Sequence, residues 1–235
     1  MKKLILASLL AISAPVMAGE LNALGSLNQS EFRSLSEDLG STLSYKGVIP
    51  AESLGITGFD IGVSATSTSL QHRELWTRAG SDVSGRATVP ALRVHKGLPF
   101  GVDLGVMYSQ VPKTGANLMG GELRWAFLEG GALSPAMALR LGATRISGLD
   151  QLDLNTTSLD LSISKGFAML TPFAGVGSVH TSSKPASGTG LSAESFNQVR
   201  LFGGVNLSLG LLNLAVEADK TGDAASTSLK LGLRF

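Results

Sequence analysis

His180, Ser182 and Glu194 are the residues of this 235-residue chain whose types and order could perform covalent chemistry. Residues two apart on an extended strand share a face. His180 and Ser182 would then stand side by side, imidazole as general base and hydroxyl as nucleophile, with Glu194 available to orient the imidazole. Ser182 and Glu194 fall in a polar stretch, 182–195, that reads as a loop in a Ser-rich chain. A plain polar loop edge explains the same residues. His72 and His95 lie far from His180 and from each other, without the paired spacing of a metal motif. The absence of Cys excludes thiol catalysis, Cys-type zinc sites and a disulfide framework. No metal or cofactor is expected.

Charge is the other candidate chemistry. Lys and Arg number 19 against 18 Asp and Glu, so no basic field exists to hold nucleic acid by counterion release. With 43% hydrophobic and 16% charged residues the chain is too apolar for disorder, and 29 Gly argue against a helical bundle.

The elements that must position these charges have period two. Phe59, Ile61, Val63 and Ala65 alternate with Asp60, Gly62 and Ser64, and Leu104, Val106 and Tyr108 with Asp103, Gly105 and Met107. Similar segments recur to the chain end, where Leu229, Leu231, Leu233 and Phe235 alternate with Ser228, Lys230, Gly232 and Arg234. Ten such strands are predicted within 51–235. In residues 171–181 both faces carry apolar residues, leaving the facing open.

A sandwich would bury the apolar faces together, whereas a transmembrane barrel turns them to lipid and encloses the polar ones. Tight turns at 96–99, 129–135, 167–171 and around Gly210 alternate with longer or more polar loops at 70–88, 111–117, 148–153, 182–195 and 221–225. That asymmetry and the even strand count belong to outer-membrane barrels. Phe59, Phe100, Trp125, Phe127, Phe167, Phe173 and Phe235 fall near the short-turn ends, where an interfacial girdle belongs. The fold class is therefore an all-β, antiparallel up-and-down transmembrane β-barrel. Its polar faces place Asp60, Asp103, Glu122, Asp160, Glu217 and Asp219 in the lumen with Arg93, Arg124, Arg140, Arg200, Lys230 and Arg234. Desolvated charges are costly unless paired, so cross-strand ion pairs are expected, Glu217 and Asp219 facing Lys230 and Arg234. A small hydrophilic pore is the other use of such a lumen.

The N-terminal residues follow other rules. Lys2 and Lys3, the apolar run Leu4 to Ser13 and small residues Val16 and Ala18 before Gly19 predict a cleaved signal peptide over 1–18. In segment 19–50, Phe32, Leu35, Leu39 and Leu43 recur at three and four, with Asn28 and Glu31 placed as a capping box. An amphipathic helix is predicted, seated in the periplasm, on the membrane or in the lumen.

The ending Leu229, Leu231, Leu233, Phe235, joined to the signal peptide and alternating strands, resembles the C-terminal signature of Gram-negative outer-membrane β-barrels. The resemblance implies passage with periplasmic chaperones and insertion by the barrel-assembly machinery. The order His180, Ser182, Glu194 also looks like that of outer-membrane lipid A deacylases, implying a lipid-modifying enzyme as the alternative to a structural, ligand-binding or passive-permeation role. Arg145 and Lys220, on lipid-facing positions near the outer rim, are expected to contact lipopolysaccharide. Loop 70–88 is the expected surface for partners outside the cell. Since Phe235 is the terminal aromatic of this signature, Phe235→Asp is expected to leave exported protein in the periplasm. Comparing outer-membrane and periplasmic yields of variant and wild type checks this, and equal membrane yield contradicts it.

Overall fold

The computed structural model describes residues 21–81, 83–110, 115–131 and 133–235; the predicted signal peptide lies outside the described residues. Ten strands form: β1 (Phe59–Ser69), β2 (Arg86–Gly97), β3 (Val102–Gln110), β4 (Asn117–Glu129), β5 (Ala136–Ser147), β6 (Leu152–Ser164), β7 (Leu170–Pro185), β8 (Glu194–Leu209), β9 (Leu212–Thr221) and β10 (Ala224–Arg234). Neighbours in sequence pair antiparallel, and β10 pairs with β1 to close the barrel. Closure removes the edges that an open sheet would expose. The last rung of the seam joins Phe59 and Phe235, whose main chains exchange hydrogen bonds of 2.6 and 3.0 Å. Their rings stack with centroids 5.7 Å apart.

Alternation sorts the side chains as the period-two pattern requires. Leu92, Val106, Leu123, Leu141, Leu201 and Val216 are exposed on the outside, whereas Arg93, Glu122, Arg124, Arg140 and Glu217 are buried inside. Such an inverted distribution is stable where lipid covers the exterior and every lumenal polar group finds a partner. Phe59, Phe100, Trp125, Phe127, Phe167 and Phe235 ring the short-turn end. Lys96 lies over the Phe59 ring at 4.5 Å there.

Phe173 departs from the expected girdle. It is buried and faces the lumen together with Val179, while Ala174 and Val176 face out, which settles the two-sided stretch at 171–181. Inward glycines make the room: a Cβ on Gly204 would come within 2.6 Å of the Phe173 ring. The polar stretch 182–195 is also shorter as a loop than its composition suggests. β7 runs to Pro185 and β8 starts at Glu194, paired through Ser183↔Glu194. Polar outward residues suffice for a strand once it rises beyond the apolar belt, because ladder pairing satisfies its backbone. Within the predicted loop 70–88, a short helix α2 (Arg73–Arg78) forms and residues from Arg86 onward join β2.

The N-terminal segment plugs the barrel. Helix α1 (Gln29–Leu43) starts with the predicted capping box, in which Asn28 Oδ1 accepts from Glu31 N at 3.0 Å and Asn28 N donates to Glu31 at 2.9 Å. Its stripe of Phe32, Leu35, Leu39 and Leu43 is fully buried. Beside the stripe Ser36 donates to Ser183 of β7 at 2.9 Å and Ser41 to Thr221 O at 3.0 Å, whereas Arg33 and Glu37 on the far side stay partly exposed. Residues 44–58 continue through the lumen as non-regular chain and enter β1 at the short-turn end.

Candidate functional site

The lumen is the site where the chemistry-bearing residues converge, and the plug is what they converge on. Strand parity turns Asp60, Arg93, Asp103, Glu122, Arg124, Arg140, Asp160, Arg200, Glu217, Asp219 and Lys230 inward, all buried, with Arg234 at the short-turn mouth. Ion pairs form as anticipated in kind. Arg124 meets Asp103 at 2.6 Å, Arg140 meets Asp160 at 3.0 Å and Glu122 at 3.9 Å, and Arg200 meets Asp160 at 3.4 Å. Lys230 and Arg234 both reach Asp60, at 2.5 and 2.7 Å.

Two expected partnerships are different in the structure. Glu217 and Asp219 do not meet Lys230 and Arg234, because the β9–β10 register sets Glu217 opposite Ser228 and Asp219 opposite Ser226. Lys230 and Arg234 instead turn across the closing seam to Asp60 of β1. Asp219 takes Lys46 of the plug at 3.1 Å, and Glu217 accepts from the Val48 main-chain N–H at 3.1 Å. His95, which had no assigned role, is fully buried with Nε2 3.3 Å from Glu122 and 3.3 Å from the Tyr45 hydroxyl. Reading strands alone missed Lys46 and Tyr45, since both lie in a segment without strand or helix periodicity.

The guanidinium groups serve the plug's main chain as much as the carboxylates. Arg93 donates to Lys46 O at 2.5 Å, Arg200 to Tyr45 O at 2.8 Å, and Arg124 to Pro50 O at 2.6 Å. Asp103 accepts from Leu54 N at 3.0 Å and Ser164 from Ala51 N at 3.0 Å. Tyr45 sits over two inward glycines: a Cβ on Gly120 or Gly142 would lie 3.0 or 3.1 Å from it. Those positions leave the space that a ring needs.

The long-loop mouth is closed differently, by an apolar cluster including Leu24, Leu27, Leu75, Trp76, Leu118 and Leu154. Asp38 of α1, itself buried, ties the cluster to the first loop by accepting from the main chains of Gln71 and His72 and from Trp76 Nε1. On the rim, Arg78 donates to Glu31 at 2.6 Å, and this hydrogen bond holds the Glu31 carboxyl below its ordinary range. Beside the helix a polar cleft of about 260 Å³ opens, lined among others by Glu37, Asp38, Gln71, His72, Gln198 and Asp223.

The candidate hydrolytic residues are not assembled. His180 and Ser182 face outward, whereas Glu194 shares the inward parity of Phe196. His180 Nδ1 lies 3.0 Å from Asn197 and Nε2 3.2 Å from Ser195, both on β8. Glu194 is held by Gln29 and by Arg33, the latter at 3.2 Å. Alternation along paired strands separates base from acid by the thickness of the wall. Arg145 and Lys220 are exposed at the outer rim, on β5 and β9, each near an acid: Asp153 at 3.6 Å and Asp223 at 3.9 Å. Among the described residues no group of three or more His, Asp or Glu is arranged to hold a metal ion.

Fold and lumen define a closed ten-stranded β-barrel plugged by its own N-terminal segment. No protein-family model and no curated protein matches the chain. Among solved structures it is similar to a KdgM porin in complex with disordered oligogalacturonate, at 6% identity over 75% of this chain and 99% of that chain, TM-score 0.40. It is also similar to Ail, the attachment invasion locus protein of Yersinia pestis, at 10% identity over 76% and 97%, TM-score 0.30. The outer membrane protein OprG from Pseudomonas aeruginosa matches at 12% identity over 78% and 99%, TM-score 0.34. At these values they assign no residue a role.

Removing one member of a buried pair strands the other's charge, at a cost of about 3–5 kcal/mol, whereas with both gone the groups left unpaired are the neutral Pro50 C=O and Leu54 N–H, at about 1–3 kcal/mol each. Arg124→Leu should therefore lower the thermal unfolding temperature in detergent more than the double variant Arg124→Leu, Asp103→Leu. A melt monitored by circular dichroism, or by the heat-dependent gel shift of a barrel, checks the order.

Proposed function

We propose that this protein is an integral outer-membrane β-barrel that stoppers its own lumen and acts through its long-loop face, in a structural or ligand-binding role. The signal-peptide pattern, the closed even-stranded barrel with its apolar exterior, and the short-turn and long-loop asymmetry support that location. The observation that carries the role is the filled lumen: α1 and residues 44–58 occupy it from mouth to mouth, with Tyr45 and Lys46 buried at its centre. A permeation pathway needs continuous water, which a lumen packed with helix and paired charges does not offer. A lipid-modifying role would require His180, Ser182 and Glu194 on one face, and they are not.

Arg145 and Lys220, at the upper border of the apolar belt, have the position and charge to meet lipopolysaccharide phosphates, in exchange for their exposed acidic neighbours. The double variant Arg145→Glu, Lys220→Glu is expected to co-purify with less lipopolysaccharide than wild type, and an unchanged amount contradicts the contact. The reading as a whole is tested by planar-bilayer recordings on refolded protein. Wild type should give little or no steady conductance, whereas a stable, high-conductance, ion-selective channel overturns the stoppered reading in favour of a porin.

A further inference from the structure

The plug crosses the barrel in a direction that strand topology alone does not require. β1 starts and β10 ends at the short-turn mouth, so the residues just before Phe59 are also there, Leu54 bonded to Asp103 and Ser53 to Glu129. Residues 21–28 are at the other mouth. Ala23 N donates to Ala79 O at 3.0 Å, Leu24 N to Gln151 at 3.0 Å, and Ser26 to Arg78 O at 2.9 Å, all in the long loops. Between the two mouths the chain is gripped largely through its main chain. Arg93, Arg124 and Arg200 donate to carbonyl oxygens, and Asp103, Ser164 and Glu217 accept from N–H groups. Main-chain groups recur in every residue, and the side chains of Tyr45 and Lys46, bonded to His95 and Asp219, fix which residues occupy the middle of the lumen.

We propose that this chain threads its own N-terminal segment through the lumen, so that residues 21–28 are displayed on the outer face of the cell. They join α2 there in one composite surface, tied by the Arg78–Glu31 ion pair at 2.6 Å. The proposal rests on the membrane orientation given above, with long loops outside. Display follows from geometry: a helix seated in the lumen with its N-terminus beside the long loops has the preceding residues on that same side. The strip is anchored by the buried Leu21, Leu24 and Leu27, which hold it against the loops.

The natural chain contains no Cys, so single introduced thiols report topology cleanly. Asn22→Cys is exposed within the strip, Ser187→Cys is exposed in the β7–β8 loop, and Leu133→Cys is 98% exposed in the β4–β5 turn. Intact cells are treated with a bulky, membrane-impermeant poly(ethylene glycol) maleimide, before and after the outer membrane is permeabilised. The expected result is labelling of Asn22→Cys to the same extent as Ser187→Cys in intact cells, with Leu133→Cys labelled only after permeabilisation. Protection of Asn22→Cys while Ser187→Cys is labelled overturns the threading and leaves the orientation standing. Labelling of Leu133→Cys with protection of Ser187→Cys overturns the orientation itself, and the display with it. Gly25→Cys, where an added Cβ meets only ordinary contact with Thr189 at 3.5 Å, repeats the strip measurement should Asn22→Cys assemble poorly.

Discussion

The rest of the structure depends on hydrogen-bonding the main chain of residues 44–51, buried inside the lumen. An unpaired buried N–H or C=O costs roughly 1–3 kcal/mol, and this segment forms neither helix nor strand with which to pair its own groups. The wall supplies the partners. Each of the arginines 93, 124 and 200 divides its donors between a plug carbonyl and a wall group: Ser64 for Arg93, Asp103 for Arg124, Asp160 and Thr221 for Arg200. A planar guanidinium with several fixed donors suits that double duty better than an ammonium.

That constraint explains the small residues of the wall. A ten-stranded barrel has an interior only modestly wider than one that side chains alone fill. Admitting a helix and an extended segment means that some positions must carry almost no side chain, Gly120 and Gly142 on the wall under Tyr45 and two more on the plug itself. Gly40 on the helix meets Thr181 of β7, and Gly47 meets the Arg140 guanidinium, in both cases closer than any Cβ allows. Phe173 and Phe202 turn inward from β7 and β8, and Phe196 of β8 lies under the Arg33 guanidinium of α1 at 4.0 Å. Closure is thus polar through the middle and apolar at the long-loop mouth, where Trp76 and the leucines of the N-terminal strip pack together.

Strand parity decides the chemistry as firmly as it decides the packing. His180 and Ser182 share a face, as their spacing demands, but that face looks outward and the hydrogen bonds of His180 go to Ser195 and Asn197 across the ladder. Glu194 belongs to the other face and holds α1 through Arg33 and Gln29. A residue that resembled a catalytic acid is in the fold a clamp on the plug. The balance of lumenal charge likewise serves closure: the carboxylates neutralise cations whose remaining donors hold the stopper.

By itself the sequence determined the local order: period two over ten segments, the inward identity of the charged residues, the capped helix at Gln29–Leu43 and the aromatic ring at the short-turn end. Each of these is a consequence of alternation or of a cap, readable from residues a few positions apart. Tertiary structure alone decided register and occupancy. Register sent Lys230 and Arg234 to Asp60 rather than to Glu217 and Asp219, and turned Phe173 inward, because partners across a ladder depend on stagger between strands. Occupancy placed the helix in the lumen and brought Lys46 to Asp219, residues far apart in the chain. An amphipathic stripe states that a helix needs an apolar surface, and the closed wall around it states which surface that is.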